Sequence, residues 1–555
     1  MASGKKALVA TLMAASVAGL PCAPFSRAHA DDYSDLLDIL RAKGSLTRHE
    51  YDLLLVKHQR HTAEAANAAR MQAQAQRPTR VASLSPGHHV GGHAGAASAA
   101  TSGYEPGIRF VASDDESTSR AERAASKAEA SARSAQAAVD MLNSADVVHV
   151  AKYVPGKGLT FKAGPVDINL SGFINGFYTY NSPAGGSPVA GGVSGGSSGF
   201  DSSSVRNGLL PAGLALKLST TQEGIDMSAV MGMYPGIDNA KNGAFNANTG
   251  GSPVGLGTPG IDFRQIYVTF GNSRIGTFKV GRDLALFGSD AIMNDATLLS
   301  VGAPGSNASP GNTSLGRIGV GYVYADWIPQ ISYATPKYKG LQGKIGVFQP
   351  LDEFNYADGG TATPHLSSVS TQHASPMVQG QVTYDGTVGA VQAHIWASFL
   401  IQHQQALYSE TLSADSHKGA MVEAGDVGAK LTYGPFEGVG YYYRGSGLGT
   451  TALFFDGVAA NGRKRTSEGY YVQAAYHATK KFKLVGSYGV SNLYQAPGEN
   501  SPTLVRRNQS IIGAGYYQLT DWLNIVEEYA HTSSDAHGPN SESDNTASAG
   551  VIRVF

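Results

Sequence analysis

From about Val166 to its last residue, Phe555, the chain consists of short segments in which apolar and polar residues alternate, separated by loops rich in glycine, asparagine and serine. In residues 225–233 and 391–399 every second side chain is apolar. Side chains on a β-strand point alternately to its two faces, so each segment predicts a strand with one apolar face and one polar face. No apolar run beyond the N-terminus is long enough for a transmembrane helix. Alternation over this length, ending on an aromatic residue, is typical of an all-β transmembrane barrel in an outer membrane.

The composition agrees with this fold class. The 555 residues include 69 glycines and 27 tyrosines, only 15% are charged, and the formal net charge is −1. Soluble chains carry about 25% charged residues and about 7% glycine. Low charge with many glycines and aromatics suits strands that face lipid on one side and a polar interior on the other. A near-zero net charge argues against a nucleic-acid partner, which would require a basic stripe.

Residues 1–30 have the features of a signal peptide: Lys5 and Lys6, a short apolar stretch, and a small-residue cleavage site that ends at Ala30. The single cysteine, Cys22, lies inside this segment. A lipoprotein interpretation of Cys22 is the alternative, but Pro21 stands where a small residue is expected. Cleavage after Ala30 predicts a mature chain without disulfides.

Three segments precede the barrel. Residues 31–76 predict a helical segment, and residues 77–112 predict a flexible linker because they lack an apolar period. The linker holds three histidines, for which a solvated linker and a metal-binding tract are the two interpretations, and the first is favoured. Residues 113–150 carry an alanine-rich seam spaced by four and three residues, which favours a periplasmic coiled coil over a single exposed helix.

Sixteen strands are predicted, an even number that a closed barrel requires. A soluble β-sandwich also alternates but rarely has so many strands or a polar inner side. Short turns alternate with long loops, and the short turns are placed on the periplasmic side. Residues 316–325 also alternate, but we assign them to the third long loop, because a further strand would disturb this alternation. The predicted strands are 166–180, 211–220, 225–234, 262–271, 274–282, 329–335, 342–349, 376–384, 388–401, 421–433, 436–446, 468–478, 481–491, 506–519, 522–532 and 546–555.

Two stretches resemble the general porin family of Gram-negative bacteria, whose members are 16-stranded outer-membrane barrels. They are the opening strand, residues 166–178, and the hairpin at residues 262–283, which is similar to the family's "RQ…G…FG…GR" hairpin before the long third loop. The resemblance covers residues 166–555 and implies a third loop folded into the lumen, a homotrimer and the barrel assembly machinery as a partner. Phe555 is then the assembly signal, although Arg553 stands where the family has an apolar or aromatic residue. The helical N-terminal region is an addition to the ordinary family pattern.

The resemblance places a pore constriction on the third loop, from Asp283 to about Trp327. Its polar candidates are Asp283, Asp290, Asn294 and Asp295. Period-two alternation, supported by the cost of about 2–4 kcal/mol for a charge on the lipid face, predicts that the following residues face the lumen: Lys217, Lys279, Lys344, Lys430, Arg444, Lys483 and Asp226. Three arginines that flank the third loop, Arg264, Arg282 and Arg317, are added to the pore wall.

This wall is predominantly basic, which predicts a preference for anions and small carboxylates, because charged linings set the selectivity of pores. The alternative is that most of the lysines lie near the rims, where charge costs little. Trp396 is predicted on the lumen side, packed under the third loop or in contact with solute. Tyr441, Tyr443, Tyr470, Tyr476, Tyr517 and Tyr529 are predicted in the aromatic girdles.

No catalytic motif is found in the sequence: there is no H-E-x-x-H, P-loop, G-x-S-x-G or mature cysteine nucleophile. We therefore expect no enzyme, no cofactor and no metal. The leading hypothesis is a water-filled channel in the outer membrane for passive diffusion of ions and small hydrophilic solutes, with outer-membrane lipid around it. The alternative is a surface adhesin or receptor that uses the barrel as an anchor.

Overall fold

The computed structural model describes residues 123, 125–127, 129–134, 148–151, 154, 156–237, 261–355, 373–404, 419–459 and 461–555. The chain divides into two compact units, Met1–Arg123 and Ala124–Phe555, and the account below concerns the second. The predicted signal peptide, the helical segment 31–76, the linker and most of the alanine seam lie outside the described residues. Residues 125–127 and 129–134, within the predicted coiled coil, are helical. In the described part of the chain, no helix is both long and apolar enough to cross a membrane.

The described residues form nineteen strands in one sheet. They are β1 (Val148–Val150), β2 (Leu159–Ala163), β3 (Val166–Gly186), β4 (Ser202–Arg206), β5 (Gly213–Gln222), β6 (Ile225–Pro235), β7 (Ile261–Asn272), β8 (Gly276–Leu284), β9 (Trp327–Ala334), β10 (Leu341–Phe348), β11 (Met377–Val388), β12 (Val391–Gln404), β13 (Ala420–Tyr433), β14 (Phe436–Ser446), β15 (Thr466–His477), β16 (Phe482–Tyr494), β17 (Val505–Gln518), β18 (Leu523–Ala536) and β19 (Ser541–Val554).

Sixteen of these strands close into an antiparallel barrel, which confirms the predicted fold class and strand number. β3 pairs with β5, each later strand pairs with the next as far as β19, and β19 pairs back onto β3. β4 lies beside the outer half of β3, while β2 pairs with its first residues. Closure leaves no free strand edge, so every strand can satisfy its backbone hydrogen bonds within the membrane.

The closing seam extends to the last residue. The Phe555 N–H donates to the Gly172 carbonyl at 2.9 Å, and the Gly172 N–H donates to the Phe555 carbonyl at 3.0 Å. A Cβ on residue 172 would lie 2.8 Å from the Phe555 ring and 2.4 Å from the Gly213 carbonyl oxygen. Glycine at this position therefore lets the C-terminal aromatic ring close over the first barrel strand.

Connection lengths alternate as predicted, with one difference. The periplasmic turns are tight, and at residues 223–224 both Glu223 (φ 51°) and Gly224 (φ 77°) have the positive φ that a type I′ turn requires. The outer connections used below are L1 (residues 187–212), L3 (285–326), L4 (349–376), L6 (447–465) and L7 (495–504). The last outer connection, residues 537–540, is a short hairpin instead of a long loop, because β18 and β19 extend further than alternation alone indicated.

The two faces of the barrel differ as the alternation predicts. Ile266, Val268 and Phe270 of β7 are exposed on the outside, although large apolar side chains are costly in water. Thr269 lies on the opposite face and hydrogen-bonds to Ser228 of β6. The outer face is thus the apolar surface that lipid covers, and the inner face is polar.

The buried core lies inside the barrel, where L3 packs against the inner wall. Phe287, Tyr322 and Val323 of L3 share one hydrophobic cluster with Trp396 of β12 and Tyr471 of β15. Residues 316–325 lie in L3, in agreement with their assignment to the loop, and they contribute Ile318, Tyr322, Val323 and Tyr324 to this cluster.

Candidate functional site: a loop-narrowed pore

L3 descends into the lumen and is fixed at its start by side chains of the inner wall. The backbone N–H groups of Leu286 and Phe287 both donate to Oε1 of Gln379 on β11, at 2.9 and 2.8 Å. The next N–H, that of Gly288, donates to Oδ2 of Asp426 on β13 at 2.9 Å. Buried N–H groups without acceptors cost about 1–3 kcal/mol each, so these two side chains define where the loop enters.

The rest of L3 crosses the wall formed by β15 to β18. It contains a short α-helix, α1 (Ser289–Asn294), followed by a 3-10 helix at Ala296–Leu299. The Tyr471 hydroxyl donates to the Ala291 carbonyl at 2.8 Å, and Gln473 accepts the Ala296 N–H at 2.8 Å. Further on, Glu528 of β18 accepts the Gly302 N–H at 2.6 Å. This side of the lumen is therefore occupied by the loop, and the carboxylates of Asp426 and Glu528 are buried beneath it.

The returning arm of L3 is held by L1. Arg206 of β4 is fully buried and donates to the carbonyls of Pro304 at 2.9 Å and Thr313 at 3.0 Å. Asn307 donates to the carbonyl of Ser202 at 3.0 Å. The two loops thus form one inward-folded unit.

Asp295, a predicted constriction residue, and Arg317, a predicted wall residue, face each other inside L3 rather than the open lumen. Asp295 is buried, accepts the Thr297 N–H at 3.0 Å and the Tyr322 hydroxyl at 3.0 Å, and lies 3.8 Å from Arg317. Arg317 is also fully buried and donates to Ser510 at 3.2 Å. This pair stabilises the shape of L3.

Asp290 and Asn294 are the predicted groups that lie on α1, and they remain partly exposed. Asp290 accepts from Nε2 of Gln381 at 2.9 Å and lies 3.1 Å from Nε2 of His394. Nδ1 of His394 lies 2.6 Å from Asp385. Met293, on the same helix, is 59% exposed, so part of α1 faces open space.

Asp283 lies in β8 and not in the loop, and it faces the lumen together with Lys279, with which it forms an ion pair. Lys279 also lies 4.8 Å from the centre of the Tyr267 ring. On the next wall segment, Lys344 of β10 donates to Oε1 of Gln381 at 2.9 Å. Asp290 of the loop and Lys344 of the wall therefore meet at Gln381, so the loop carboxylate and the wall lysine lie along the same stretch of the inner wall.

Lys217 and Asp226 line the periplasmic half of the lumen, in a cavity of about 770 Å³. Asp226 accepts from the Thr221 hydroxyl at 2.6 Å. Lys430 is paired with Glu437 at 3.0 Å, whereas Lys483 lies 4.8 Å from the centre of the Tyr516 ring. Among the described residues, Lys217, Lys344 and Lys483 have no carboxylate oxygen within 4.0 Å.

The structure places the predicted wall arginines in different environments. Arg444 shares the outer face of β14 with Tyr442 and pairs with Glu468 at 2.9 Å, so its predicted position in the lumen is wrong. It lies at the outer end of the strand, where a charge on the lipid side costs little. Arg282 falls on the same face of β8 as Phe278 and Val280, and Arg264 is buried against Asp262 at 2.7 Å.

The six tyrosines predicted in the aromatic girdles lie on both faces of the barrel. Tyr470, Tyr476, Tyr517 and Tyr529 are exposed on the outer face, as the girdle interpretation requires, but Tyr441 and Tyr443 are buried inside the barrel. Trp396 lies on the inner face, where its ring centre is 6.4 Å from that of Tyr441.

Sequence reasoning missed the side chains that hold the loops, above all Gln379, Gln473, Glu528 and Arg206. The alternation of β11 places the side chain of Gln379 on the inner face. Its hydrogen-bond partner could not be predicted, since Gln379 and Leu286 are 93 residues apart in the chain.

A closed 16-stranded antiparallel barrel, apolar outside and polar inside, with a long loop folded into its lumen, defines an outer-membrane channel for small solutes. The model of the Gram-negative porin family matches residues 124–537, and the chain belongs to this family.

Several solved structures are similar to the chain. The outer-membrane channel DcaP of Acinetobacter baumannii is 16% identical with a TM-score of 0.51, and the match covers 72% of this chain and 100% of that one. The anion-selective porin from Comamonas acidovorans is 12% identical with a TM-score of 0.45, covering 70% and 100%. Salmonella typhi OmpF, in complex with daunomycin, is 12% identical with a TM-score of 0.44, covering 73% and 100%. No curated protein matches the chain.

Proposed function

We propose that the channel conducts ions and small hydrophilic solutes by passive diffusion and prefers anions, including small carboxylates. The observation that carries this proposal is a difference in pairing between the two signs of charge on the inner wall. The carboxylates of Asp283, Asp290 and Glu437 each have a basic partner within 4.0 Å, whereas Lys217, Lys344 and Lys483 have no carboxylate partner among the described residues. The solvent-facing part of the lumen is then positive, which favours anions.

The constriction in this proposal lies where α1 meets the inner wall, since Asp290 of α1 and Lys344 of β10 both bind Gln381. Asp290 and Asn294 contribute from the loop, and Lys279, Lys344 and Asp283 contribute from the wall. Lys279 is partly neutralised by Asp283, so Lys344 provides the largest uncompensated charge at this level. No residue is assigned a catalytic role.

Reversal potentials in planar bilayers under a salt gradient test the proposal. We expect anion preference for the wild type, reduced in Lys344→Gln and unchanged in Lys464→Gln, whose ammonium group is bound outside the lumen to the Met421 carbonyl at 2.7 Å. Cation preference of the wild type would contradict the proposal. Absence of ionic current across a bilayer that contains correctly folded barrels would favour the adhesin or receptor function instead.

We also propose a homotrimer, assembled through the barrel assembly machinery with Phe555 as its signal and with residues 31–150 in the periplasm. Support comes from the family membership and from the alanine seam. The mass of the detergent-solubilised protein before and after heating tests it. A monomeric mass before heating would exclude the trimer.

A further inference from the structure

The periplasmic mouth of the barrel carries a group of basic side chains that the constriction does not use. This basic vestibule consists of His477, Lys480, Lys481 and Lys483. His477 ends β15, Lys483 is the second residue of β16, and the two are direct cross-strand partners. The connecting turn supplies the other two lysines, so the tight turn brings four basic residues to one end of the wall.

These side chains line a partly open cavity. Its volume is about 180 Å³, and the amides of Gln518 and Asn524 also line it. Leu299 of L3 forms part of the same lining, and it is 38% exposed although its neighbour Thr297 is fully buried. The cavity is therefore bounded by the wall, the turn and the underside of L3.

The charges around this cavity are not balanced. The ammonium group of Lys483 has no carboxylate within 4.0 Å among the described residues, and that of Lys481 lies 3.5 Å from the Leu519 carbonyl. The nearby carboxylate of Glu437 is already shared by Lys430, at 3.0 Å, and by Nε2 of His477. Three lysines and the amides of Gln518 and Asn524 thus line one cavity, and the nearby carboxylate of Glu437 already has two basic partners.

We propose that the basic vestibule binds a small oxyanion, of which inorganic phosphate is the simplest. Lysine binds phosphate as a point charge, and charge-assisted hydrogen bonds of this kind are about twice as strong as neutral ones. The site lies beneath L3, at the level where a solute leaves the constriction for the periplasm. The inference rests on the open lumen of the proposed channel, but not on its preference for anions.

Equilibrium dialysis of the full-length, detergent-purified protein against radiolabelled inorganic phosphate, at constant ionic strength, tests this site. We expect saturable binding that becomes about tenfold weaker in Lys483→Gln, the loss of one charge-assisted hydrogen bond. Lys464→Gln is the control, since it removes the same charge from a residue that does not line this cavity and binds the Met421 carbonyl at 2.7 Å, and it should keep the wild-type affinity. Absence of saturable binding, or an equal loss in both variants, would overturn the proposal. Heat-modifiability on gels verifies that each variant forms a folded barrel.

Phosphate added to one side of a planar bilayer provides the second measurement. With chloride as the current carrier, we expect a saturable reduction of current when phosphate is added on the periplasmic side, weakened in Lys483→Gln. Phosphate binding without any current would contradict the proposed function and leave this site standing. Current without saturable phosphate binding would contradict the proposed phosphate site and leave the proposed channel function standing.

Discussion

Arg465 is a fully buried cation at the outer mouth of the barrel, and its partners join three loops. Its guanidinium donates to both carboxylate oxygens of Glu499 in L7, at 2.5 and 2.9 Å, and to Asn355 in L4 at 3.1 Å. Burial of the Glu499 carboxyl would raise its pKa, but the hydrogen bonds and charge of Arg465 outweigh burial and hold that pKa below its usual value. Removing one partner of such a pair leaves a buried charge uncompensated, at a cost of about 3–5 kcal/mol.

The lowered pKa of Glu499 predicts how the stability of L7 depends on pH. A carboxyl with a lowered folded-state pKa stabilises the folded loop above the pKa of the unfolded chain, about 4.3, and this contribution is lost as the pH falls through the lowered value. We expect Glu499→Gln to increase hydrogen exchange in residues 496–504 at neutral pH, and the difference from the wild type to shrink as the pH falls below about 4.3, the pKa of the unfolded carboxyl. Comparing the two proteins at each pH removes the intrinsic pH dependence of exchange. A difference that does not shrink as the pH falls below that value would contradict the assignment.

Arg553 is the residue that departs from the family's C-terminal pattern, and aromatic rings surround it. Its guanidinium carbon lies 4.7 Å from the centre of the Trp522 ring and 5.9 Å from that of Phe555. Stacking on aromatic rings lets arginine occupy a site at the membrane interface that an apolar side chain would otherwise fill.

We therefore predict that Arg553 and Trp522 are energetically coupled. In a double-mutant cycle of Trp522→Ala and Arg553→Leu, the two changes should be non-additive by about 1 kcal/mol, the size of a cation–π interaction near a surface. Reversible urea unfolding in lipid vesicles measures the free energies of unfolding. The control cycle pairs Arg553→Leu with Tyr517→Ala, an exposed aromatic residue that makes no such contact with Arg553. Additivity in both cycles would rule out the coupling.

At the scale of the element, L3 is held by hydrogen bonds from wall side chains to its backbone. Gln379 accepts two successive N–H groups with one oxygen, so replacing it by leucine keeps the volume and removes both acceptors. Each orphaned N–H group costs about 1–3 kcal/mol, which favours displacement of the loop entrance.

We predict that Gln379→Leu increases single-channel current noise and mean conductance, because L3 spends part of the time away from the wall. Gln342→Leu is the matched control: Gln342 also lines the lumen, but its amide donates to the Thr335 carbonyl at 2.9 Å and does not contact L3. Single-channel recordings in planar bilayers compare the two. Equal noise in both variants would show that Gln379 does not anchor the loop.

The elements also show what the sequence could reveal. Alternation predicted all sixteen barrel strands, because each strand contrasts an apolar face with a polar one. The predicted inward position of Arg444 and the predicted girdle positions of Tyr441 and Tyr443 were wrong. Residues 441–443 are three consecutive tyrosines, so they show no alternation, and the burial of two of them depends on packing inside the barrel. The path of L3 could not be predicted, since its anchors join residues such as Ser300 and Glu528 that are 228 positions apart.

At the scale of the whole molecule, function depends on closure between the first and last barrel strands. β3 and β19 stay in register from Phe173 and Val554 to Gly186 and Glu542, with one irregularity between Ser543 and Asp544. Pro183 lies at this irregularity, and proline is tolerated in a sheet at bulges because it cannot donate a hydrogen bond.

Closure can be tested directly, because Cys22 is the single cysteine and lies in the predicted signal peptide. Tyr180 and Ala547 are direct cross-strand partners on the outer face, so the double variant Tyr180→Cys, Ala547→Cys should form a disulfide that shifts the denatured protein on a non-reducing gel. Tyr180→Cys with Val551→Cys is the control, displaced by four residues or about 13 Å along the strand, and it should not crosslink. Crosslinking of the control pair alone would mean a different register, and crosslinking of neither pair would mean an open sheet. Because the disulfide lies on the lipid side, the crosslinked barrel should conduct like the wild type, which would show that the barrel remains closed during conduction.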